Sequence, residues 1–278
     1  MSEAFVASLH LYPIKGCRGI DLSAAVVAET GLTARGIGDR EWMVVDETGR
    51  FVTQRELPRL ALVETSIVDD GLRLTAPHMP ACDVPMEVAG PSRDVAVWRS
   101  DVRGRDAGDA AAGWLSDWLA QDVRLLRFDR SVTRLCNPEY AGDSGAHTLF
   151  ADGYPVLVIG SGSLCDLNDR LAQREHAALP MNRFRPNVVV AGLEAFAEDH
   201  VDTLRAGDVV LRCVKPCVRC RVTTTDQQTA RVGIEPLRTL GEYRMDSRLD
   251  GVTFGMNAIV VNGGAIAPGA TLEVEFRF

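Results

Sequence analysis

Short apolar or alternating runs, separated by turn signals, extend along most of the chain and constrain its fold more than any other feature. Residues 86–88 and 95–98 form a shorter pair of predicted strands, and residues 5–13, 22–28, 42–45, 60–67 and 72–75 have the length and alternation of strands. Asp70 and Gly71 directly before the last of these runs are typical of a tight hairpin turn. We therefore predict a mainly β protein with some α structure.

Two helices and one inter-domain connection interrupt this pattern. Residues 110–121 place apolar side chains at spacings of three and four, as on one face of a helix. Residues 154–159 form a buried strand that leads into a helix over 163–172, for which Ser163 with Asp166 is the predicted N-terminal cap. The polar segment 129–146 is the best candidate for a link, which divides the chain into domains 1–130 and 131–278.

Composition excludes several classes of protein. No apolar run reaches the roughly 18–20 residues of a membrane span, and the first residues lack the pattern of a secretory signal. Seven cysteines, an odd number, fit free thiols in a reducing compartment, so we expect a cytoplasmic protein. A formal charge of −8 argues against a nucleic-acid partner.

Three local motifs have more than one interpretation. The Gly160-Ser161-Gly162 turn lacks the third glycine of a dinucleotide-binding loop. Cys213, Cys217 and Cys220 have the C-x3-C-x2-C spacing of radical S-adenosylmethionine enzymes, but only a short, mainly β segment follows them. Cys220 leads into residues 222–225, a predicted strand, and this context disfavours a thioredoxin-like redox pair.

What remains is one thiol in a basic neighbourhood. Lys215, Arg219 and Arg221 lie within five residues of Cys220. Nearby cations favour the thiolate form, and a soft thiolate suits a metal that prefers sulfur ligands. On this pattern alone, an inert half-buried cysteine is an equally good interpretation.

Several segments together resemble one protein family. The segment KPCVRCRVTTTD (residues 215–226) resembles the signature of MOSC-domain proteins, and HLYPIKGCRG (10–19) and GDREWMVV (38–45) resemble the MOSC N-terminal β-barrel domain. NRFRPN (182–187) and EPLRTL (235–240) extend the match. Within that family the pattern is similar to the mitochondrial amidoxime-reducing component and to bacterial N-hydroxylamine reductases. The resemblance implies an N-terminal β-barrel-like domain followed by a C-terminal MOSC β-barrel domain.

The resemblance also implies a molybdenum–molybdopterin cofactor in the cleft between the domains. Cys220 would be the catalytic metal ligand, and Asp226 is a candidate proton donor because it is acidic and close to Cys220 in sequence. Gly16 stands where relatives often have a serine after the lysine. At this position only the backbone N–H could donate a hydrogen bond to the cofactor phosphate. The remaining residues expected to bind the phosphate, the pterin or their surroundings are Lys15, Gly16, Arg40, Gly153, Tyr154, Arg185, Asn187, Val218, Arg219 and Asn257.

The implied activity is reduction of N-hydroxylated small molecules such as amidoximes, hydroxylamines and N-hydroxylated bases. No cysteine set for a [2Fe–2S] cluster follows, so a separate ferredoxin, flavoprotein or cytochrome-type protein is expected to supply electrons. Two alternatives stay open: a cofactor carrier or sulfur-transfer module, and, less favoured, a radical S-adenosylmethionine-type iron–sulfur enzyme.

Overall fold

Twenty-one strands, most of them short, form the main regular structure of the protein, in a computed structural model that describes residues 3–277. The mainly β prediction is confirmed. In chain order the strands are β1 (Phe5–Leu11), β2 (Ile14–Lys15), β3 (Ile20–Leu22), β4 (Ala25–Ala28), β5 (Gly31–Ala34), β6 (Ile37–Gly38), β7 (Trp42–Asp46), β8 (Glu64–Val68), β9 (Gly71–Thr75), β10 (Cys82–Pro85), β11 (Ser92–Val97), β12 (Ser100–Asp106), β13 (Val123–Phe128), β14 (Val156–Gly160), β15 (Val188–Ala191), β16 (Val201–Ala206), β17 (Val209–Val218), β18 (Met245–Asp246), β19 (Gly251–Asn262), β20 (Gly264–Ile266) and β21 (Glu273–Phe276).

Helices are few and short. The α-helices are α1 (Asp109–Leu119), α2 (Pro138–Ala141), α3 (Ser161–Ala172) and α4 (Leu237–Gly241), and 3-10 turns cover Pro58–Leu62, Met181–Arg183, Ala197–His200 and Arg221–Thr224. Helix α1 buries Trp114, Leu115, Trp118 and Leu119, so the predicted apolar face is confirmed. No helix among residues 3–277 has the length and apolar character required to cross a membrane.

The largest sheet combines strands from both ends of the chain. Its order is β21-β16-β17-β19-β14-β15-β1-β3, with β18 paired to β19 outside this path. Strand β1 runs antiparallel to β15, with Phe5 opposite Ala191 and Leu9 opposite Val188. Strand β20 likewise pairs with β4 in a sheet ordered β20-β4-β5-β6.

The remaining strands belong to the first half of the chain. A five-stranded sheet has the order β11-β12-β13-β7-β2, and a three-stranded sheet has the order β10-β9-β8. The domain boundary predicted at residue 130 lies just after β13, yet β1 pairs with β15 and β4 pairs with β20, both from beyond it. The two predicted domains are therefore joined by backbone hydrogen bonds as well as by side-chain packing, and their division stays a prediction.

Four local predictions were wrong. Residues 60–62 belong to a 3-10 turn, residues 86–88 follow β10 instead of forming a strand, and residues 222–224 form a 3-10 turn instead of a strand. Ser163 does not cap α3, because Gly160 occupies the N-cap and the Ser163 hydroxyl donates to Glu198 at 2.6 Å. The Ser163 error arose from a tertiary contact, the hydrogen bond to Glu198, which a local capping pattern does not describe.

Candidate functional site

A cleft of about 940 Å³, open solvent included, lies where the two halves of the chain meet. The first half contributes the end of β2 and the turns after β6 and β11, and the second half contributes the end of β17 and the segments before β14 and β15. Every predicted site residue except Asp226 lines this cleft: Lys15, Gly16, Arg40, Gly153, Tyr154, Arg185, Asn187, Val218, Arg219, Cys220 and Asn257.

Lys15 is a buried cation at the end of β2. Its Nζ donates to the carbonyl oxygen of Phe150 at 2.8 Å and to Oδ1 of Asp152 at 2.6 Å. Burial lowers the pKa of Lys15, and the adjacent Asp152 carboxylate partly offsets that effect. Gly16 follows with a φ of +86°, a left-handed conformation that glycine adopts without steric cost.

Arg40 is fixed by a polar network that spans the two halves. Its Nη1 pairs with Asp39 and also donates to Oδ1 of Asn187 at 3.1 Å, while its Nη2 donates to the Arg185 carbonyl at 3.1 Å. Asn187 in turn donates to Asp39 at 2.9 Å. The Arg40 and Arg185 guanidinium carbons each lie 4.3 Å from the centre of the Tyr12 ring, whose pKa burial raises to about 12.

Arg185 and Arg219 lack a carboxylate partner among residues 3–277. Arg185 donates from Nη1 to the Cys17 carbonyl at 2.6 Å, and its buried Nη2 has no hydrogen-bond partner. Burial, together with the nearby Arg40 charge, lowers the pKa of Arg185 to about 10. Arg219 donates to the Phe184 carbonyl and to Sγ of Cys217, and its Nε is left unpaired. The cleft thus has unsatisfied positive charge that an anion would neutralise.

Cys220 presents an exposed thiol to this cationic cleft. It follows the end of β17 and immediately precedes the 3-10 turn Arg221–Thr224. Its carbonyl oxygen accepts from the Thr223 backbone N–H at 3.1 Å and from the Thr223 hydroxyl at 2.9 Å, which fixes the backbone beside the thiol. The turn therefore directs the chain away from β17 just where the strand pairing ends.

The three cysteines of the C-x3-C-x2-C spacing lie in different environments. Cys217 is half-buried and lines the cleft with Cys220. Cys213 is 1% exposed, sits opposite Ala258 in the β17–β19 pairing, and has a pKa raised to about 12 by burial. A buried neutral thiol in the sheet core is a packing residue, so the geometry does not favour a three-cysteine cluster.

Asp226 does not join the cleft. Its Oδ1 accepts from the backbone N–H groups of Gln228 at 2.9 Å and Thr229 at 2.8 Å, and Arg183 donates to its Oδ2 at 3.2 Å. Partial burial would raise its pKa, but these hydrogen bonds hold it below the usual range. An ionised carboxylate that stabilises its own loop is poorly suited to donate a proton, so the proton-donor prediction does not fit this geometry.

Residues that the sequence did not single out form the other wall of the cleft. Phe51, Gln54, Arg55, Trp98 and Asp152 all line it. Trp98 lies in the two-residue turn between β11 and β12 and donates from Nε1 to Asp152 at 2.9 Å. The only sequence signal was a tryptophan at the end of a run predicted as a strand, and it gave no reason to place the side chain in a cleft.

Comparison with known proteins identifies matches over most of the chain. Residues 3–122 match the MOSC N-terminal beta barrel domain, and residues 146–273 match the MOSC domain. Mitochondrial amidoxime reducing component 2 of Bos taurus is 37% identical over 86% of this chain and 72% of its own length. Mitochondrial amidoxime-reducing component 1 of Homo sapiens is 34% identical over 95% of this chain and 81% of its own length.

Proposed function

Because this chain belongs to the MOSC-domain family that includes the mitochondrial amidoxime-reducing components, we propose that it reduces N-hydroxylated small molecules. Amidoximes, hydroxylamines and N-hydroxylated bases are the substrate classes. The reaction consumes two electrons and two protons, breaks the N–O bond, and releases water with the amine or amidine. The electrons come from a separate redox protein, which is a ferredoxin, a flavoprotein or a cytochrome-type protein.

One observation carries this proposal: an exposed thiol, that of Cys220, lies in a cleft whose arginines lack enough acidic partners. Arg185 and Arg219 have no carboxylate within salt-bridge distance among residues 3–277, and each has an unpaired donor. Such a site suits a ligand that combines a phosphate with a metal able to accept a thiolate. A molybdopterin with bound molybdenum has both features.

The residues present fit that cofactor. In our proposal Lys15, Gly16 and Arg40 would hold its phosphate, and Arg185 with Asn187, Val218 and Arg219 would line its pterin. Gly153, Tyr154 and Asn257 would complete the surroundings, and Cys220 would ligate the metal. When bound, the cofactor would supply the two-electron chemistry that cleaves the N–O bond.

The chain itself would position the anion and exclude water. The Arg40–Asn187–Asp39 network is already formed, so little side-chain freedom is lost when a phosphate binds between Lys15 and Arg40. Phe184 is fully buried behind Arg219 and lies 5.7 Å from its guanidinium carbon, which limits solvent on that side of the cleft. Substrate would then enter from the exposed side, where Cys220 and Trp98 are accessible.

Substitution of Cys220, the proposed metal ligand, tests the proposal. We expect Cys220→Ala to reduce the molybdenum content of protein expressed with molybdate to background, and to abolish benzamidoxime reduction with an artificial electron donor. Cys165→Ala is the matched control, because Cys165 is also exposed but does not line the cleft. Metal content by elemental analysis and steady-state turnover are the measurements.

Each outcome separates the proposal from its alternatives. Metal or turnover retained at the wild-type level in Cys220→Ala would contradict the assignment of Cys220. Wild-type protein that binds molybdenum but turns over no substrate would point to a cofactor carrier or sulfur-transfer module instead. Iron and acid-labile sulfide in the purified protein would support the iron–sulfur alternative.

A further inference from the structure

Trp98 occupies a backbone position that glycine usually takes. Val97 pairs with Ser100, so Trp98 and Arg99 form a two-residue hairpin loop, and Trp98 has a φ of +57°. Two-residue hairpins strongly favour Gly, Asn or Asp where φ is positive, because a bulky side chain is strained there. A tryptophan at such a position suggests that its side chain serves a purpose other than forming the turn.

The indole ring is held on three sides. Its Nε1 donates to Asp152 at 2.9 Å, and Asp152 also accepts from Lys15. The Phe51 ring meets the indole edge-on at 5.2 Å between centroids, and the Arg55 guanidinium lies 4.8 Å from the indole centre. These contacts fix the orientation of the ring, yet Trp98 is still 50% exposed.

Burial sets Trp98 apart from the other tryptophans. Trp42, Trp114 and Trp118 are each less than 10% exposed and do not line the cleft. Trp118 has similar contacts to Trp98, since an arginine lies over its ring at 3.9 Å and its Nε1 donates to a backbone carbonyl, but it is buried beside Arg59. The polar contacts alone therefore do not require an exposed ring, and the exposed surface of Trp98 is available to a ligand.

We propose that Trp98 is the specificity-determining residue of the cleft and binds the flat, conjugated part of an N-hydroxylated substrate. This inference rests on the proposed function. A rigid, half-exposed indole offers a large apolar surface that stacks on aromatic rings, and such pairs are favoured beyond the area that they bury. Aryl amidoximes and N-hydroxylated heteroaromatic bases are then preferred over compact alkyl substrates.

Two substrates with the same reactive group test this preference. Benzamidoxime and acetamidoxime differ only in a phenyl ring against a methyl group. We expect Trp98→Ala to raise the KM for benzamidoxime about tenfold, with kcat little changed, and to alter the KM for acetamidoxime by less than about twofold. Trp98→Phe should restore most of the lost affinity, because it keeps an aromatic surface.

A second readout does not depend on turnover. Benzamidoxime, added to cofactor-loaded protein without an electron donor, should quench tryptophan fluorescence more than acetamidoxime does. Trp98→Phe should lose this difference, while the matched control Trp118→Phe should keep it. Molybdenum content, measured for every variant, should equal that of the wild type.

Several results would overturn the role of Trp98. They are an equal rise in KM for both substrates, a fall in metal content, and a benzamidoxime-specific quench that persists in Trp98→Phe. If the wild type reduces neither substrate, the proposed function fails, and the fluorescence comparison still decides whether Trp98 binds an aromatic ligand.

Discussion

Burial divides the cysteines of this chain into two chemical classes. Four thiols are buried, and burial raises the pKa of each, to about 12 for Cys17 and Cys213 and about 11 for Cys136; Cys82 is the fourth. Cys165 and Cys220 are exposed, and Cys217 is half-buried. Because the thiolate is the reactive form, the buried thiols should be inert in the folded protein.

The rates at which the thiols react with a thiol reagent should therefore separate these classes. In cofactor-free protein at pH 8 we expect two fast-reacting thiols, Cys165 and Cys220, a slower Cys217, and no reaction of the other four until the protein unfolds. Cys165→Ser should remove one fast equivalent. Loading with the cofactor should remove the other, since Cys220 would then be ligated. Fast labelling of Cys213, located by mass spectrometry, would contradict the fold around β17.

At the scale of elements, helix α3 depends on a buried carboxylate for its first turn. Glu198 is 1% exposed and accepts from the Ser163 hydroxyl at 2.6 and 2.7 Å and from the Gly160 backbone N–H at 3.0 Å. Burial raises the pKa of Glu198, and the hydrogen bonds partly oppose this effect. The side chain thus links the end of β14 and the start of α3 to the 3-10 turn Ala197–His200.

Ser163→Ala should weaken this link in a pH-dependent way. Because the folded-state pKa of Glu198 is raised, the folded state favours the neutral acid, and stability falls as pH rises through that pKa. Loss of the Ser163 donor makes the ionised form still less favourable. We expect a loss of about 1–3 kcal/mol in the free energy of unfolding at pH 8 and a smaller loss at pH 5, measured by urea denaturation.

Ser161→Ala is the matched control for that measurement. Ser161 lies in the same first turn of α3, and none of its side-chain atoms has a hydrogen bond within the described part of the chain. A similar loss of stability in both variants, or a loss that does not change with pH, would show that helix propensity explains the effect instead of Glu198.

At the scale of the whole molecule, the two halves share sheets as well as the cleft. Strands β1 and β3 complete the largest sheet beside β15, and β20 pairs back to β4. Val6, Leu9 and Leu11 of β1 are fully buried in the main core cluster. Removing the first half would expose both the edge of β15 and the second-half core residues that share this cluster.

Residues 131–278 alone should therefore not form a stable domain. We expect the fragment to aggregate and to show no cooperative thermal transition by circular dichroism, whereas the full chain should melt cooperatively. Coexpression with residues 1–130 should restore a soluble complex if the shared strands can still pair. A soluble monomeric fragment that melts cooperatively would show that β1 and β3 are dispensable.

The resemblance to the MOSC-domain family implied the cofactor-binding residues, and eleven of the predicted site residues line one cleft while Asp226 does not. Asp226 was chosen for its nearness to Cys220 in sequence, but the 3-10 turn Arg221–Thr224 separates the two side chains. Trp98 and Asp152 were missed because their importance comes from contacts across the cleft and not from a local pattern.

The amino-acid sequence by itself determined the mainly β character, the apolar face of α1 and the position of Cys220 among basic residues. These features depend on neighbours a few residues apart, which a pattern can describe. Only the tertiary structure decided that Lys15 and Arg185 share a cleft, that β1 joins the second half, and that Trp98 lines the site. Such contacts join residues far apart in the chain, and the free energy of burying the whole core selects them.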